Sequence, residues 1–264
     1  MRVQVLVAAV NADVKNQAEK MNLESDAIIV NQCDYFAYEE YEHKGKIIRC
    51  YSMKERGVGL NRNTALMRCD SDLCLFSDED ILFETGYEKK VIDAFAANPD
   101  ADLITFNFKV DPSRATYHND KNKRVRWYNY GRYPTYAVAA RTETLHRAGV
   151  SFSLLFGGGA KYSNGEDSLF LHDCLKKGLH IYAHTDILGE EVYRESTWFH
   201  GYNEKFFFDR GVLYPYLYGN LAKLWAFRFL FTKRKTICKK ISLSRAYGIM
   251  KEGIKEGKEI RKRN

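Results

Sequence analysis

Short apolar runs alternate with amphipathic stretches along the first 200 residues of the chain. The apolar runs predict strands at residues 3–10, 27–32, 46–51, 73–76, 101–108 and 180–184. The amphipathic stretches between them predict helices at residues 13–21, 57–68, 87–97 and 167–177. Strands that alternate with helices indicate an α/β domain, in which a mostly parallel sheet has helices on both faces.

A change of composition near residue 198 divides the chain. Residues 198–231 include thirteen aromatic residues, and residues 232–264 include twelve Lys or Arg and three Glu. The second segment therefore carries a net charge of +9, which leaves −2 for the first 231 residues because the whole chain carries +7. We predict an α/β domain at residues 1–200 and an aromatic, then basic, helical C-terminal extension at residues 201–264.

Two interpretations of the extension remain open. Lys223 and Arg228 interrupt its apolar run, so it is too short to span a membrane. Aromatic residues followed by basic ones at helical spacing are typical of a segment that lies on an anionic membrane surface. A helix that packs on the domain and has a solvated basic end fits equally well. We expect no nucleic-acid binding, because the positive charge is confined to the tail and no recognised motif accompanies it.

The six cysteines are spread widely, and none belongs to a Cys-x-x-Cys pair. The chain begins on a strand-like run rather than on a charged segment followed by an apolar one, so the sequence predicts no secretory signal. We therefore expect reduced thiols and a cytoplasmic protein.

The acidic cluster "SDED", residues 77–80, directly follows the fourth predicted strand. In open α/β sheets, ligands bind beyond the carboxyl ends of the strands. Asp78 and Asp80 could share Mg²⁺ or Mn²⁺ there, because such ions prefer carboxylate oxygens and would neutralise a diphosphate. A solvated acidic turn is the alternative. The cost of burying unpaired charge after an apolar strand makes the two interpretations about equal.

The stretch "ERGVGLNRNTALMR" lies upstream of the acidic cluster. Gly57 and Gly59 allow close approach of the backbone and open a helix whose N-terminus favours anions. Arg56, Arg62 and Asn63 lie near that end and could contact a phosphate or a nucleobase. A capped amphipathic helix with surface arginines is the alternative interpretation.

A Gly-rich stretch at residues 157–159 lies downstream and precedes the acidic pair Glu166 and Asp167. Acidic residues at the start of a helix are stabilised by the helix dipole, which is a purely structural reason for the pair. A carboxylate at a helix N-terminus beside a mobile Gly-rich loop can also act as a general base. The spacing alone does not choose between these roles.

Taken in order, these motifs resemble those of the family 2 glycosyltransferases. The order is a first strand that ends near Asn11, a second that ends in "NQCD", then "RGVGLNRNTAL", "SDED", a Gly-rich stretch and "GED" at the start of a helix. The resemblance covers roughly residues 3–200 and implies the GT-A fold, a Rossmann-like sheet that binds nucleotide-diphospho-sugars. It also implies a metal-dependent, inverting transfer of a sugar to an acceptor hydroxyl, with a UDP-sugar as the expected donor.

The resemblance implies roles for single residues. Asp167 would be the general base that deprotonates the acceptor hydroxyl. Asp80 would bind the divalent metal, Mg²⁺ or Mn²⁺, and Asp78 would contact the ribose or the metal. Many family members add a C-terminal His to the metal site, which here would be His200, with His184 as the alternative.

The resemblance also implies donor contacts, although the chain departs from the family pattern at two turns. The first strand ends in "VAAVNA", which keeps only Asn11 of the usual turn. The second ends in "NQCD" instead of an Asp-rich turn, which leaves Asn31 or Asp34 as nucleobase contacts. The full set of expected nucleotide contacts is Asn11, Asn31, Asp34, Arg56, Arg62, Asn63 and Asp78.

Family members that build bacterial surface polysaccharides often act on acceptors attached to a membrane lipid. The resemblance therefore implies a lipid-linked saccharide acceptor and a peripheral position on the inner face of the cell membrane, held there by the extension. The alternatives are a non-catalytic nucleotide-sugar-binding scaffold and, less well supported, a sugar-1-phosphate nucleotidylyltransferase. The aromatic-rich segment at residues 111–136 is expected to line the donor or acceptor pocket, or merely to pack.

Overall fold

The computed structural model describes residues 1–112, 115–192 and 201–263. Within these ranges ten strands form one sheet: β1 (Val3–Val10), β2 (Asp26–Gln32), β3 (Ala37–His43), β4 (Lys46–Met53), β5 (Leu73–Asp78), β6 (Ile81–Phe83), β7 (Leu103–Lys109), β8 (Lys123–Arg124), β9 (Val138–Arg141) and β10 (Ile181–Glu191). The α-helices of the same ranges are α1 (Val14–Lys20), α2 (Val58–Leu66), α3 (Tyr87–Ala97), α4 (Thr142–Ala148), α5 (Glu166–Lys176), α6 (Glu204–Tyr218), α7 (Ala222–Ile237) and α8 (Leu243–Arg263). Short 3₁₀ helices lie at Tyr130–Arg132, Thr135–Ala137 and Gly219–Leu221.

The strand order places the carboxyl ends of four parallel strands at one edge of the sheet. The order is β3-β4-β2-β1-β5-β9-β7-β10-β6, with β8 paired to β10. β4, β2, β1 and β5 are parallel to one another, β3 is antiparallel to β4, and β7 is parallel to β10. β9 enters between β5 and β7 and is antiparallel to both. The predicted α/β architecture is confirmed.

The sequence pattern does not predict four of the strands, because they are polar or short. β3 reads "AYEEYEH", and half-buried and exposed residues alternate along it at the edge of the sheet. β6, β8 and β9 have only two to four residues, too few for a period to be recognised. Because β3 precedes it, the strand that leads into the acidic cluster is the fifth of the chain and not the fourth. It also extends as far as Asp78.

Two apolar layers cover the two faces of the sheet. Alternate residues of β1 point to opposite faces, so Val5 belongs to one layer and Leu6 to the other. The first layer includes residues of α1 and α3, such as Val91. The second includes residues of α2, α4 and α5, such as Phe170. Helices therefore lie on both faces of the sheet, as the sequence predicts.

The helices α6, α7 and α8 pack against one another and against the preceding part of the chain. Gly253 of α8 approaches α6 so closely that an added Cβ would lie 2.2 Å from the carbonyl oxygen of Phe208. A third apolar cluster joins these helices to Phe156, Tyr162 and Leu169. One face of the C-terminal extension is therefore built into the fold.

The predicted boundary near residue 200 falls on residues 193–200, which lie outside the described residues, so the division of the chain stays a prediction. In the part of the chain that the structure describes, no helix combines the length and the apolar character needed to cross a membrane.

Candidate active site

Arg62 on α2 joins three carboxylates that lie far apart in the sequence. Its Nη2 lies 2.9 Å from Oδ1 of Asp78, at the end of β5. Its Nη1 lies 3.1 Å from Oδ1 of Asp167 and 3.4 Å from Oε1 of Glu166, both in the first turn of α5. We call these four residues the carboxylate cluster. Arg62, a predicted donor contact, and Asp167, the predicted base, are therefore direct neighbours.

Helix α2 is fixed by contacts in its first two turns. The side-chain oxygen of Gln32, at the end of β2, accepts a hydrogen bond from the Gly57 N–H at 2.8 Å. The amide group of Asn63 bonds the main-chain N–H and carbonyl of Phe152, at 2.7 and 2.9 Å. The Arg62 guanidinium lies 5.5 Å from the centroid of the Phe152 ring. Asn63, a predicted nucleotide contact, thus anchors α2, and its role toward a nucleotide stays a prediction.

The Gly-rich stretch packs against the carboxylate cluster. Gly157 has a φ of +107°, and a Cβ added there would lie 2.9 Å from Cδ of Glu166. The carbonyl of the next residue, Gly158, accepts a hydrogen bond from the Val58 N–H at 2.9 Å. The sequence suggested a mobile loop here. The structure instead has a packed spacer, which needs glycine so that α2 and α5 can approach each other.

The charges of the cluster change the protonation of two of its members. Burial alone would lower the pKa of Arg62, but Asp78, Asp167 and Glu166 raise it above its ordinary value. Burial, together with the neighbouring Asp167, raises the pKa of Glu166 to about 7, although Arg62 opposes this shift. Arg62 therefore stays a cation, and Glu166 takes up a proton close to neutral pH.

Asp167 is held by two donors and is open to a cleft. The Thr135 hydroxyl and Nη1 of Arg62 both donate to its Oδ1. Its side chain is 32% exposed and lines a cleft of 770 Å³ between the start of α5, residues 131–134 and α6. A fixed carboxylate that faces a cleft has the arrangement a general base needs toward a bound hydroxyl. No sequence motif marks Thr135, which begins the short 3₁₀ helix directly before β9.

The three acidic residues of "SDED" have different surroundings. Asp78 belongs to the carboxylate cluster. Glu79 accepts a hydrogen bond from the Val10 N–H through Oε2 at 3.1 Å, a structural contact at the end of β1. Asp80 is half-buried, and its main-chain carbonyl accepts a hydrogen bond from the Val192 N–H at 2.8 Å. The acidic residues of "SDED" are therefore not all solvated, and they do not all point toward one ion.

The predicted metal site is described only in part. Within the described ranges, no group of three or more His, Cys, Asp or Glu could hold a metal ion. The predicted ligand His200 lies outside the described residues, and the alternative His184 lies on β10 beside Phe106. Asp78 and Asp80 fit Mg²⁺ or Mn²⁺ by the chemistry of their donor atoms. Mg²⁺ in particular takes one or two carboxylates and completes its shell with substrate phosphates and water.

The remaining predicted donor contacts lie at the carboxyl ends of β1, β2 and β4. Asn31 is buried, and its Oδ1 accepts a hydrogen bond from the Ala12 N–H at 3.0 Å, which fixes the turn after β1. Asn11 in that turn is exposed and has a φ of +51°. Asp34 and Arg56 are exposed and form an ion pair, with 2.9 Å between Oδ1 and Nη2. The structure brings these residues to one edge of the sheet, and their contacts with a nucleotide stay predictions.

The mostly parallel sheet, with ligand-type side chains at its carboxyl edge, is the architecture that the predicted GT-A fold implies. The model of the family described as "Glycosyl transferase family 2" matches residues 7–157, more than half of the chain. The chain therefore belongs to glycosyl transferase family 2, which confirms the resemblance seen in the sequence. No curated protein matches the chain.

Two solved structures show the same fold. Residues 1–349 of TarS from S. aureus, in complex with UDP-GlcNAc, are 17% identical with a TM-score of 0.60, over 91% of this chain and 74% of that one. The mannosyltransferase PcManGT from Pyrobaculum calidifontis, in complex with GDP-Man and Mn²⁺, is 12% identical with a TM-score of 0.54, over 97% of this chain and 86% of that one. At these identities the likeness establishes the fold alone.

Proposed function

We propose that the protein is a metal-dependent, inverting glycosyltransferase that moves a sugar from a UDP-sugar to a hydroxyl of a saccharide acceptor. One observation carries the proposal. A single guanidinium, that of Arg62, holds both Asp78 at the carboxyl edge of the sheet and Asp167 at the cleft. A donor bound at that edge and an acceptor bound in that cleft would meet beside Arg62. The complexes of TarS with UDP-GlcNAc and of PcManGT with GDP-Man and Mn²⁺ support a nucleotide-sugar donor.

Asp167 is the general base in this proposal. Its carboxylate takes the proton of the acceptor hydroxyl while the hydroxyl oxygen attacks the anomeric carbon and the bond to the diphosphate oxygen breaks. A single displacement of this kind inverts the anomeric configuration. The Thr135 hydroxyl and Arg62 keep the carboxylate in place. General-base catalysis of this kind typically contributes ~10²–10⁴-fold to the rate.

Asp80 and Asp78 are the residues that would hold the divalent cation. When bound, the cation would neutralise charge on the leaving diphosphate. Arg62 keeps its positive charge in the buried cluster. It would therefore help the cation to stabilise the negative charge on the leaving diphosphate.

The release of nucleoside diphosphate from a panel of UDP- and GDP-sugars, with and without Mn²⁺, tests this proposal. We expect slow release that requires Mn²⁺ and stops with EDTA. Asp80→Asn should lower it at least as much as the ~10–100-fold typical of residues that only support a metal ligand. Asp93→Asn is the matched control, because Asp93 is exposed on α3 and pairs only with Lys89 among the ion pairs of the described residues. No release from any donor, or release that ignores the metal, would contradict the proposal.

The exposed face of α7 supports a peripheral membrane location. An apolar stripe recurs every three or four residues, beginning at Leu221 directly before α7 and continuing along the helix. It consists of Leu221, Leu224, Phe227 and Phe231, which are 57%, 62%, 46% and 51% exposed. Exposed basic side chains flank this stripe: Lys223, Arg228, Arg234 and Lys235. We call these residues the membrane face. An apolar stripe within a basic surface is complementary to an anionic membrane.

This complementarity leads to the cellular role that we propose. The protein would lie on the inner face of the cell membrane, with the membrane face of α7 in the lipid headgroups. Lys233 of the same helix lines the cleft beside Asp167, so an acceptor anchored in that membrane would have a short path to the base. We therefore infer a lipid-linked saccharide acceptor and a role in polysaccharide biosynthesis.

Sedimentation with lipid vesicles tests the membrane face without disturbing the packed side of the helices. A variant with Leu224→Ser, Phe227→Ser and Phe231→Ser should bind phosphatidylglycerol vesicles at least ~10-fold more weakly, because each apolar side chain that enters the membrane contributes on the order of 1.5–3 kcal/mol. Wild-type protein should bind phosphatidylcholine vesicles far less than anionic ones. The control variant replaces three exposed apolar residues elsewhere: Tyr38, Ile47 and Met67. Equal binding by the two variants would exclude this surface as the docking site.

A further inference from the structure

The cleft beside Asp167 has basic lining residues that the proposed chemistry does not use. They are Arg132, Lys205, Arg210 and Lys233. Lys205 is already neutralised, because its Nζ lies 2.6 Å from Oδ2 of Asp209. The acidic lining residues, Glu166 and Asp167, already bind Arg62. The two arginines and Lys233 therefore leave the cleft with positive charge that the carboxylates of the described residues do not balance.

Arg210 on α6 is held by aromatic rings rather than by a carboxylate. Its guanidinium lies 4.7 Å from the ring centroid of Phe229 and 5.7 Å from that of Phe206. Its Nη1 lies 3.4 Å from the side-chain oxygen of Asn164, a long contact with a neutral acceptor. In the part of the chain that the structure describes, no carboxylate lies within 4.0 Å of Arg210. Rings against the face of a guanidinium leave its edge of N–H groups to an anion.

Three buried N–H groups of residues that line this cleft have no hydrogen-bond partner among the described residues. They are Nε of Arg132, Nε of Arg210 and Nδ2 of Asn164. Arg132 is placed in the same way as Arg210, with its guanidinium 5.2 Å from the ring centroid of Tyr133. Buried polar groups in folded proteins almost always have partners. Three exceptions around one cleft show that its polar lining is not saturated by hydrogen bonds among the described residues.

We propose that the cleft binds an acceptor that carries an anionic group, a phosphate or a carboxylate, close to the hydroxyl that receives the sugar. This proposal rests on the proposed function, because Asp167 is what identifies the cleft as the acceptor site. The oxygens of such a group balance the charge of Arg132 and Arg210 through charge-assisted hydrogen bonds. The hydroxyls of a neutral saccharide would leave both charges unbalanced.

Binding of three small probes by NMR at constant ionic strength tests this proposal. The probes are glucose 6-phosphate, glucuronate and glucose, which distinguish a phosphate from a carboxylate and both from the neutral sugar. We expect at least one anion to bind roughly tenfold or more tightly than glucose, as charge-assisted hydrogen bonds imply. Arg210→Gln and Arg132→Gln should each remove most of this preference, and Arg210→Lys should restore part of it.

The controls separate this proposal from the proposed function. Arg147→Gln should leave the preference intact, because Arg147 lies on α4, is 72% exposed and pairs with Glu143. Nucleoside diphosphate release by the wild type, measured without an acceptor, reports on the donor reaction alone, and the Arg147→Gln variant should match it. If neither anion binds more tightly than glucose while release is intact, the anionic acceptor is wrong and the transferase stands. If the wild type releases no diphosphate, the transferase itself fails, whatever the probes do.

Discussion

The two sides of Asp167 differ in how their charges are balanced. On the side of the sheet, one guanidinium meets three carboxylates, and Arg62 is only 5% exposed. On the side of the cleft, Arg132 and Arg210 lie against aromatic rings and, within the described residues, have no carboxylate at ion-pair distance. The first arrangement keeps its geometry before any ligand binds. The second obtains its counter-charge from the ligand, which is why we assign it to the acceptor.

This difference separates the effects that mutations should have. Changes in the carboxylate cluster should alter chemistry and the free energy of unfolding, because a buried charge left without its partners is costly. Changes at Arg132 or Arg210 should alter acceptor binding and leave the fold intact.

Asp167→Asn removes the base and keeps the shape of the side chain. We expect transfer to an added acceptor to fall by ~10²–10⁴-fold, the usual contribution of a general base. Binding of UDP, measured by calorimetry with Mn²⁺ present, should change little, because Asp167 faces the cleft and not the ends of β1 and β2. Asp173→Asn on the same helix is the control. Full transfer by the Asp167 variant would show that another group takes the proton.

Arg62→Gln removes the cation that three carboxylates share. We expect the free energy of unfolding to fall by about 3–5 kcal/mol, as for other buried ion pairs that lose one partner. Urea denaturation measures this change. Arg68→Gln is the control on the same segment, because Arg68 is partly exposed and lies over the Tyr51 ring. If both variants lost equally little stability, Arg62 would not be what holds the two sides of the site together.

The sequence was sufficient to predict the elements and motifs that depend on local patterns. The apolar run of β1 and the amphipathic period of α3 predicted Val3–Val10 and Tyr87–Ala97 with the bounds that the structure has. The acidic end of β5 and the acidic start of α5 were also recognisable as motifs. Each is a short stretch in which neighbouring residues share one environment, and such stretches carry their own signal.

The sequence was insufficient where contacts cross long distances. Nothing in "GLNRNTAL" indicates that Arg62 bridges Asp78 and Asp167, which are 16 and 105 residues away. Thr135 lies in a segment without any period, so its bond to Asp167 depends on where β9 enters the sheet. The Gly-rich stretch looked mobile because glycine allows mobility, whereas in the fold it permits close packing.

Glu166 provides the smallest test of the cluster, through the pH dependence of stability. Burial raises its pKa in the folded protein to about 7, above its ordinary value of 4.5. At low pH the carboxyl group is protonated in both the folded and the unfolded state, so its ionisation does not change the free energy of unfolding. As the pH rises from 4.5 toward 7, the unfolded state releases the proton more readily, and the folded protein loses stability relative to it.

A variant that cannot ionise should escape this loss. Glu166→Gln should therefore gain stability relative to wild type as the pH rises from 4.5 to about 7, as measured by urea denaturation at several pH values. Glu143→Gln is the control, since Glu143 is 76% exposed on α4, and its curve should run parallel to that of the wild type. The opposite slope for Glu166→Gln would mean that Arg62 outweighs burial and holds Glu166 ionised. In that case Arg62 would face three ionised carboxylates, so the cluster would carry one positive and three negative charges and would repel a departing diphosphate more strongly.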